Sequence, residues 1–125
     1  MLRKNVTRIL IVATLAITAC SKPPITESAD KSTREFELDS PFQIQLKGDA
    51  NSDNEWILAN KDLTAVKFVD QSVTTSGDEN VFTFDFVAKE EGEDDILMVY
   101  SGSTGIERTF QLHVICGTLG RIEGE

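Results

Sequence analysis

Val81-Phe82-Thr83-Phe84-Asp85-Phe86-Val87-Ala88 is the stretch that decides the fold. A helix, turning about 100° per residue, would spread the three phenylalanine rings around its circumference, whereas a strand alternates at every residue and puts all three on one face. Thr83 and Asp85 then occupy the other face, the pattern of a half-buried strand. Downstream, Glu90-Glu91-Gly92-Glu93-Asp94 reads as a turn, and the apolar run Ile96 to Tyr100 predicts a returning strand, so that the pair forms a hairpin with a charged, solvated tip. Farther on, Arg108 to Ile115 alternates again, with Phe110, Leu112 and Val114 on one face and Gln111 and His113 on the other.

Upstream the same period recurs. Phe42, Ile44 and Leu46 alternate with Gln43, Gln45 and Lys47, and Phe36 and Leu38 with Glu35, Glu37 and Asp39. Trp56 to Ala59 and Leu63 to Val69 are rich in strand formers and lack a helix cap, so both are predicted strands. Short strands separated by Gly, Asn, Asp and Ser turns imply an all-β protein, an immunoglobulin-like β-sandwich, spanning residues 35–118 with a short tail at 119–125. A domain of this length supports one core.

The N-terminus reads differently. Arg3, Lys4 and Arg8 precede the apolar run Ile9 to Ala16, which is too short to span a bilayer, and small residues lead to Ile17-Thr18-Ala19-Cys20. This arrangement is a secretory signal, and its last four residues resemble the lipobox of bacterial lipoproteins. The resemblance implies a signal peptide over residues 1–19 and acylation of Cys20, palmitate being one such chain, as a membrane anchor. Ser21-Lys22 lacks the aspartate that retains such proteins at the inner membrane, so the expected location is the bacterial cell envelope, at the outer membrane facing the periplasm. Residues 20–34, with two prolines among polar and charged residues, are expected to form a lipidated flexible tether.

Charge narrows the partners. Of 125 residues, 12 are basic and 21 acidic, a net charge of −9, and loss of residues 1–19 removes three basic residues and moves it to −12. Nucleic acid is excluded as a partner, and a membrane would be met through the lipid anchor only. With Cys20 committed to lipid, Cys116 is left without a partner for a disulfide within one chain; at the end of the last strand it reads as a buried or half-buried thiol, or as one half of an intermolecular disulfide.

Candidate chemistry is sparse. His113 is the single histidine, set among core positions of a strand and expected to face solvent, and no GxSxG elbow or HExxH helix is present. The carboxylates lie on turns, where water keeps them ionised. The reading is of a non-enzyme with no catalytic residue and no cofactor. Asp49-Ala50-Asn51-Ser52-Asp53-Asn54 matches the opening of a calcium loop, making Asp49, Asn51 and Asp53 weak candidate ligands, but Asn54 stands where glycine is wanted and Asn60 where the bidentate carboxylate belongs.

The order of these elements, a strand FQIQL, a polar loop ending in Trp56, a loop opening at Gly77, the Phe-rich strand, Gly92, a strand ending in Tyr100, a loop and a last strand around Phe110, resembles the chagasin-like family of cysteine-protease inhibitors over about Phe36 to Ile115. The resemblance implies an immunoglobulin-like sandwich that inserts three loops from one end into the cleft of a papain-type cysteine protease without offering a cleavable bond. On this chain those loops are Asp49-Ala50-Asn51-Ser52-Asp53-Asn54, Gly77-Asp78-Glu79-Asn80 and Ser101-Gly102-Ser103-Thr104-Gly105. The first replaces the family's NPTTGY and the third its Arg-Pro-aromatic motif. The other reading is a non-inhibitory adaptor that binds another envelope protein, with or without a calcium-ordered loop.

Overall fold

The computed structural model describes residues 23–117. Seven strands follow one 3-10 turn at Glu27–Ala29: β1 Ser32–Phe36, β2 Pro41–Asp49, β3 Glu55–Leu58, β4 Val66–Ser76, β5 Glu79–Ala88, β6 Gly92–Gly102 and β7 Gly105–Cys116. They form a four-stranded sheet in the order β1-β7-β6-β3 and a three-stranded sheet in the order β2-β5-β4. This is the expected all-β, immunoglobulin-like sandwich. The signal peptide, Cys20 and the tail 119–125 lie outside the described residues.

The alternating rows meet between the sheets. Phe82, Phe84, Phe86 and Ala88 of β5 and Phe42, Ile44 and Leu46 of β2 face Ile96, Met98 and Tyr100 of β6 and Phe110, Leu112 and Val114 of β7, all buried. Phe36 stacks on Phe42 with ring centroids 4.2 Å apart, and Trp56 lies 5.2 Å from Tyr100. Fully burying each such ring contributes about 1.5–3 kcal/mol.

Three expectations are corrected. β5 and β6 are not a hairpin: β5 pairs with β2 and β4, whereas β6 lies in the opposite sheet. Alternation puts both strands' apolar residues on one face each, but it does not say whether those faces lie side by side or opposite. The backbone answers that, because Lys89 and Glu90 both donate to the Ala65 carbonyl and so hold the end of β5 to its own sheet before the chain crosses. The acidic tip is also more than a solvated turn: the Asp94 carboxylate accepts the backbone N–H groups of Thr64, Ala65 and Val66, at 2.8 to 3.1 Å, and fixes the entry of β4.

The second correction is the tether. From Ile25 onward the segment is part of the sandwich. Ile25 is buried and bridges to Ile44, donating to the Gln43 carbonyl and accepting from Gln45 N–H, and Ala29 is buried as well. β1 then pairs in parallel with β7, Ser32 opposite Leu112 and Phe36 opposite Cys116. Composition hid this because Ile25 and Ala29 are few, and the rest of the attachment is through backbone hydrogen bonds and through two carboxylates that read as solvated, Glu27 accepting the Lys47 N–H and Asp30 the Gln111 N–H.

Third, strand limits moved. The strand expected from Glu35 to Asp39 ends at Phe36, and Leu38 is exposed near the chain reversal at Asp39. β4 runs on to Ser76, through a bulge at Val69, with every residue after Val66 exposed. An edge strand that is not covered needs no apolar period to form, only a partner ladder.

His113 of β7 is held between two carboxylates of β6, Nδ1 2.7 Å from Asp95 Oδ1 and Nε2 2.9 Å from Glu93 Oε1. It is thus half-exposed and engaged rather than simply solvated. Asp95 first, and then Glu93, raise its pKa above the ordinary value near 6.5. A raised folded pKa contributes stability in full below the unfolded value, and that contribution is lost as pH rises through the folded value. The variant His113→Gln is therefore expected to melt below the wild type at about pH 6 and to converge with it as the pH rises through the folded value. A melting-temperature difference that is constant across this range would contradict the clamp.

Candidate functional site

The end of the sandwich that carries the β2–β3 connection is built on an aromatic floor. Trp56 donates its indole N–H to the Lys47 carbonyl at 3.0 Å, and the Tyr100 hydroxyl accepts the Asp49 N–H at 2.9 Å. Both rings thus bury their bodies in the core and turn their polar atoms to the last residues of β2. Arg108 lies over the floor, its guanidinium carbon 4.7 Å from the Tyr100 ring centre and 5.3 Å from that of Trp56, and donates to the same Lys47 carbonyl at 2.7 Å. Gly48 is required beneath it, because a Cβ there would sit 2.8 Å from the buried Tyr100 ring.

On this floor the central loop is tied to both neighbours. Ala50 N–H donates to the Asp78 carbonyl at 2.9 Å, joining it to the β4–β5 turn. Asp53 Oδ2 accepts the Ser103 N–H at 3.3 Å, joining it to the β6–β7 turn. Asn54 is buried and donates from Nδ2 to Glu107 Oε1 at 3.1 Å, while its Oδ1, without a hydrogen-bond partner, lies against Gly102. Within the loop, Asp49 Oδ1 accepts the Asn51 N–H and the Ser52 hydroxyl accepts the Asn54 N–H. The Ser103 hydroxyl, and after it the Ser103 N–H, hold the Asp53 carboxyl below its ordinary pKa, so the loop stays anionic.

The structure brings the three expected segments into one continuous edge, the central loop between the other two. Their ends differ from a purely looped reading. Asp49 closes β2, Glu79 and Asn80 belong to β5, Ser101 and Gly102 to β6, and Gly105 opens β7, so the turns proper are Gly77-Asp78 and Ser103-Thr104. Asn51, Asp53, Gly77, Asp78, Glu79, Ser103, Thr104 and Gly105 are exposed, Ala50, Ser52, Asn80, Ser101 and Gly102 half-buried, and Asn54 buried. A shallow polar depression between the first two segments is lined by Lys47, Asp49, Asn51, Asp78, Glu79 and Arg108.

For the weak calcium candidates the geometry is unfavourable. Asp49 turns its carboxylate to Asn51 and Asp53 turns its own toward Ser103, and among the described residues no three acidic, histidine or cysteine side chains are grouped to hold a metal. Cys116 is fully buried, and burial pushes its thiol pKa up, which leaves it a poor nucleophile.

Arg108 escaped the sequence reading. The signal is parity: Arg108 shares its alternation with the buried Phe110, Leu112 and Val114, so it is a charge at an inward position over the open end of the core. Lys47 escaped too, since its contribution is a carbonyl.

No family model matches the sequence, and no curated relative matches it. Solved structures do. The cysteine protease inhibitor EhICP2 from Entamoeba histolytica superposes with a TM-score of 0.63 at 15% identity, covering 74% of this chain and 91% of its own. Amebosin gives 0.57 at 22% identity, covering 76% and 99%. PbICP-C, solved in complex with falcipain-2, gives 0.50 at 14% identity, covering 75% and 89%. At these identities the likeness is one of fold, and the fold is the chagasin-like one that the order of strands and loops implies.

Proposed function

We propose that this chain inhibits papain-type cysteine proteases by inserting the edge formed by Asp49–Asn54, Gly77–Asn80 and Ser101–Gly105 into the protease cleft. The observation that carries the reading is the pair of ties from the central loop to its neighbours, Ala50 to Asp78 and Asp53 to Ser103, which give three separate turns the form of one wedge. Its support beyond this chain is the fold shared with proteins described as cysteine protease inhibitors, one of them solved with a protease. A wedge held by its own hydrogen bonds loses little entropy on insertion. Its contacts would be backbone groups and short polar side chains, and the anionic residues Asp49, Asp53, Asp78 and Glu79 favour a protease whose cleft is rimmed by basic side chains. The test is titration of purified protein against a panel of papain-type proteases. The adaptor reading is favoured by one feature: none of the three segments carries an aromatic or arginine side chain of its own, and such anchors dominate most tight interfaces.

We further propose that the inhibitor is held by acyl chains on Cys20 at the outer membrane, facing the periplasm, where the sandwich from Ile25 onward would lie within a few residues of the lipid. Replacing Cys20 by Ala is expected to turn a detergent-phase protein into a soluble or an uncleaved product, because the acyl attachment point is gone. Unchanged partitioning together with normal processing of the variant would overturn the anchor while leaving the inhibitor reading intact.

A further inference from the structure

The two sheets end unevenly on the side away from β1 and β2. The last strand of one sheet, β3, has four residues, and the last strand of the other, β4, has 11. Register places Phe68, Gln71 and Val73 of β4 opposite Phe86, Phe84 and Phe82, the inward row of β5. These β4 residues therefore face the inside of the sandwich, yet Phe68 is 36% and Val73 49% exposed, because no strand of the other sheet reaches across them. The result is a groove of about 720 Å³ whose apolar wall includes Leu58, Leu63 and Phe68. Three of the chain's 12 basic residues, Lys61, Lys67 and Lys89, line it against a single carboxylate, Glu90. Lys89 is shared with Asp39 at 3.5 Å, but Lys61 and Lys67 have no ion-pair partner among the described residues.

We propose that this groove docks an extended acidic peptide segment of a partner protein, added as a strand along the free edge of β4. Three features converge on that occupant. β4 pairs only with β5, so its far edge presents backbone donors and acceptors that an added strand would satisfy. The uncovered inward row needs apolar side chains at alternate positions, which a strand supplies with its period of two. Two unpaired lysines in a chain of net charge −9 set the sign of the remaining side chains. A lipid-like carboxylate would meet the lysines and the apolar wall but leave the strand edge unpaired. None of the groove residues belongs to the three wedge segments, so the site stands independently of the inhibitor reading.

The probe is a fluorescein-labelled octapeptide alternating valine and glutamate, titrated into the purified protein and followed by anisotropy and by amide hydrogen exchange. The expected result is saturable binding that slows exchange of the β4 amides and weakens about tenfold in Lys61→Glu/Lys67→Glu, where two attractions become two repulsions. The charge-matched control Lys31→Glu/Arg34→Glu, on the far side of the sandwich, should bind as the wild type does. The proposal would be overturned by no saturable binding, by an equal loss in the control, by binding without protection of β4, or by laurate occupying the groove in place of the peptide. A concentration-dependent dimer abolished by Lys61→Glu/Lys67→Glu would assign the edge to a second copy of the chain instead, and would overturn it equally.

Discussion

Truncating Phe84 to Ala is expected to lower the unfolding free energy by about 3–5 kcal/mol, a large share of what a domain of this size has. Phe84 is fully buried in the middle of β5, between Ile44 of β2 and Gln71 of β4, with its ring directed at the opposite sheet. Surrounding rings cannot collapse into the space, because Phe82 and Phe86 are themselves seated against both sheets, so the loss comprises the transfer of the ring and the cavity left behind. The neighbouring Thr83 points the other way and is half-buried; its truncation to Ala should cost far less. Denaturant titration of both variants checks the register. A loss below about 1 kcal/mol at Phe84, or a larger one at Thr83, would mean that the strand is turned over.

The second large effect is expected at Gly102. A Cβ on this residue would collide with Asn54 Oδ1, stand 2.7 Å from Asp53 Oδ1 and 3.0 Å from the Asn54 Cα, so part of the obstruction is backbone and cannot swing aside. The variant Gly102→Val should push the central loop away from the β6–β7 turn and break the Asp53 to Ser103 tie. The collision itself should cost about 1–3 kcal/mol of stability, and the displaced wedge should weaken inhibition at least about tenfold, measured at a temperature where the variant is fully folded. Asp53→Ala removes the same tie without a collision and should have a smaller effect in the same direction. Inhibition constants for the two variants, compared with their melting curves, make the check. Wild-type inhibition by Gly102→Val would show that the three segments do not act as a unit.

How much of this is legible in the sequence follows from what alternation can encode. The rows Phe82-Phe84-Phe86, Phe42-Ile44-Leu46 and Phe110-Leu112-Val114 specify strands and the faces they bury, and hence the sandwich. They do not specify which strands are neighbours, which is why β5 and β6 look like a hairpin and are not. Residues held mainly through a backbone ladder leave no pattern: Ser32–Arg34 beside β7 and the polar half of β4 both fall in stretches that read as tether or loop. The three wedge segments can be placed from the order of turns and strands, and they do meet. What joins them is not legible, because Asp53 meets Ser103 across 50 residues of chain through a side chain-to-backbone bond, and Ala50 meets Asp78 through backbone only. Arg108 carries the one overlooked signal, a charge in the register of the core, and Asp94 shows the converse, a turn carboxylate whose role depends on three N–H groups about 30 residues away in sequence.

The central claim is that this edge closes a papain-type cleft. It is tested most directly by adding increasing amounts of the purified protein to several papain-type proteases and following hydrolysis of a small peptide substrate. The expected result is a saturable loss of activity against at least one protease, relieved by more substrate, with the inhibitor recovered uncleaved and with Gly102→Val displaced to higher concentration. Full activity across the panel at micromolar protein, or recovery of a chain cut within Asp49–Asn54, would contradict it.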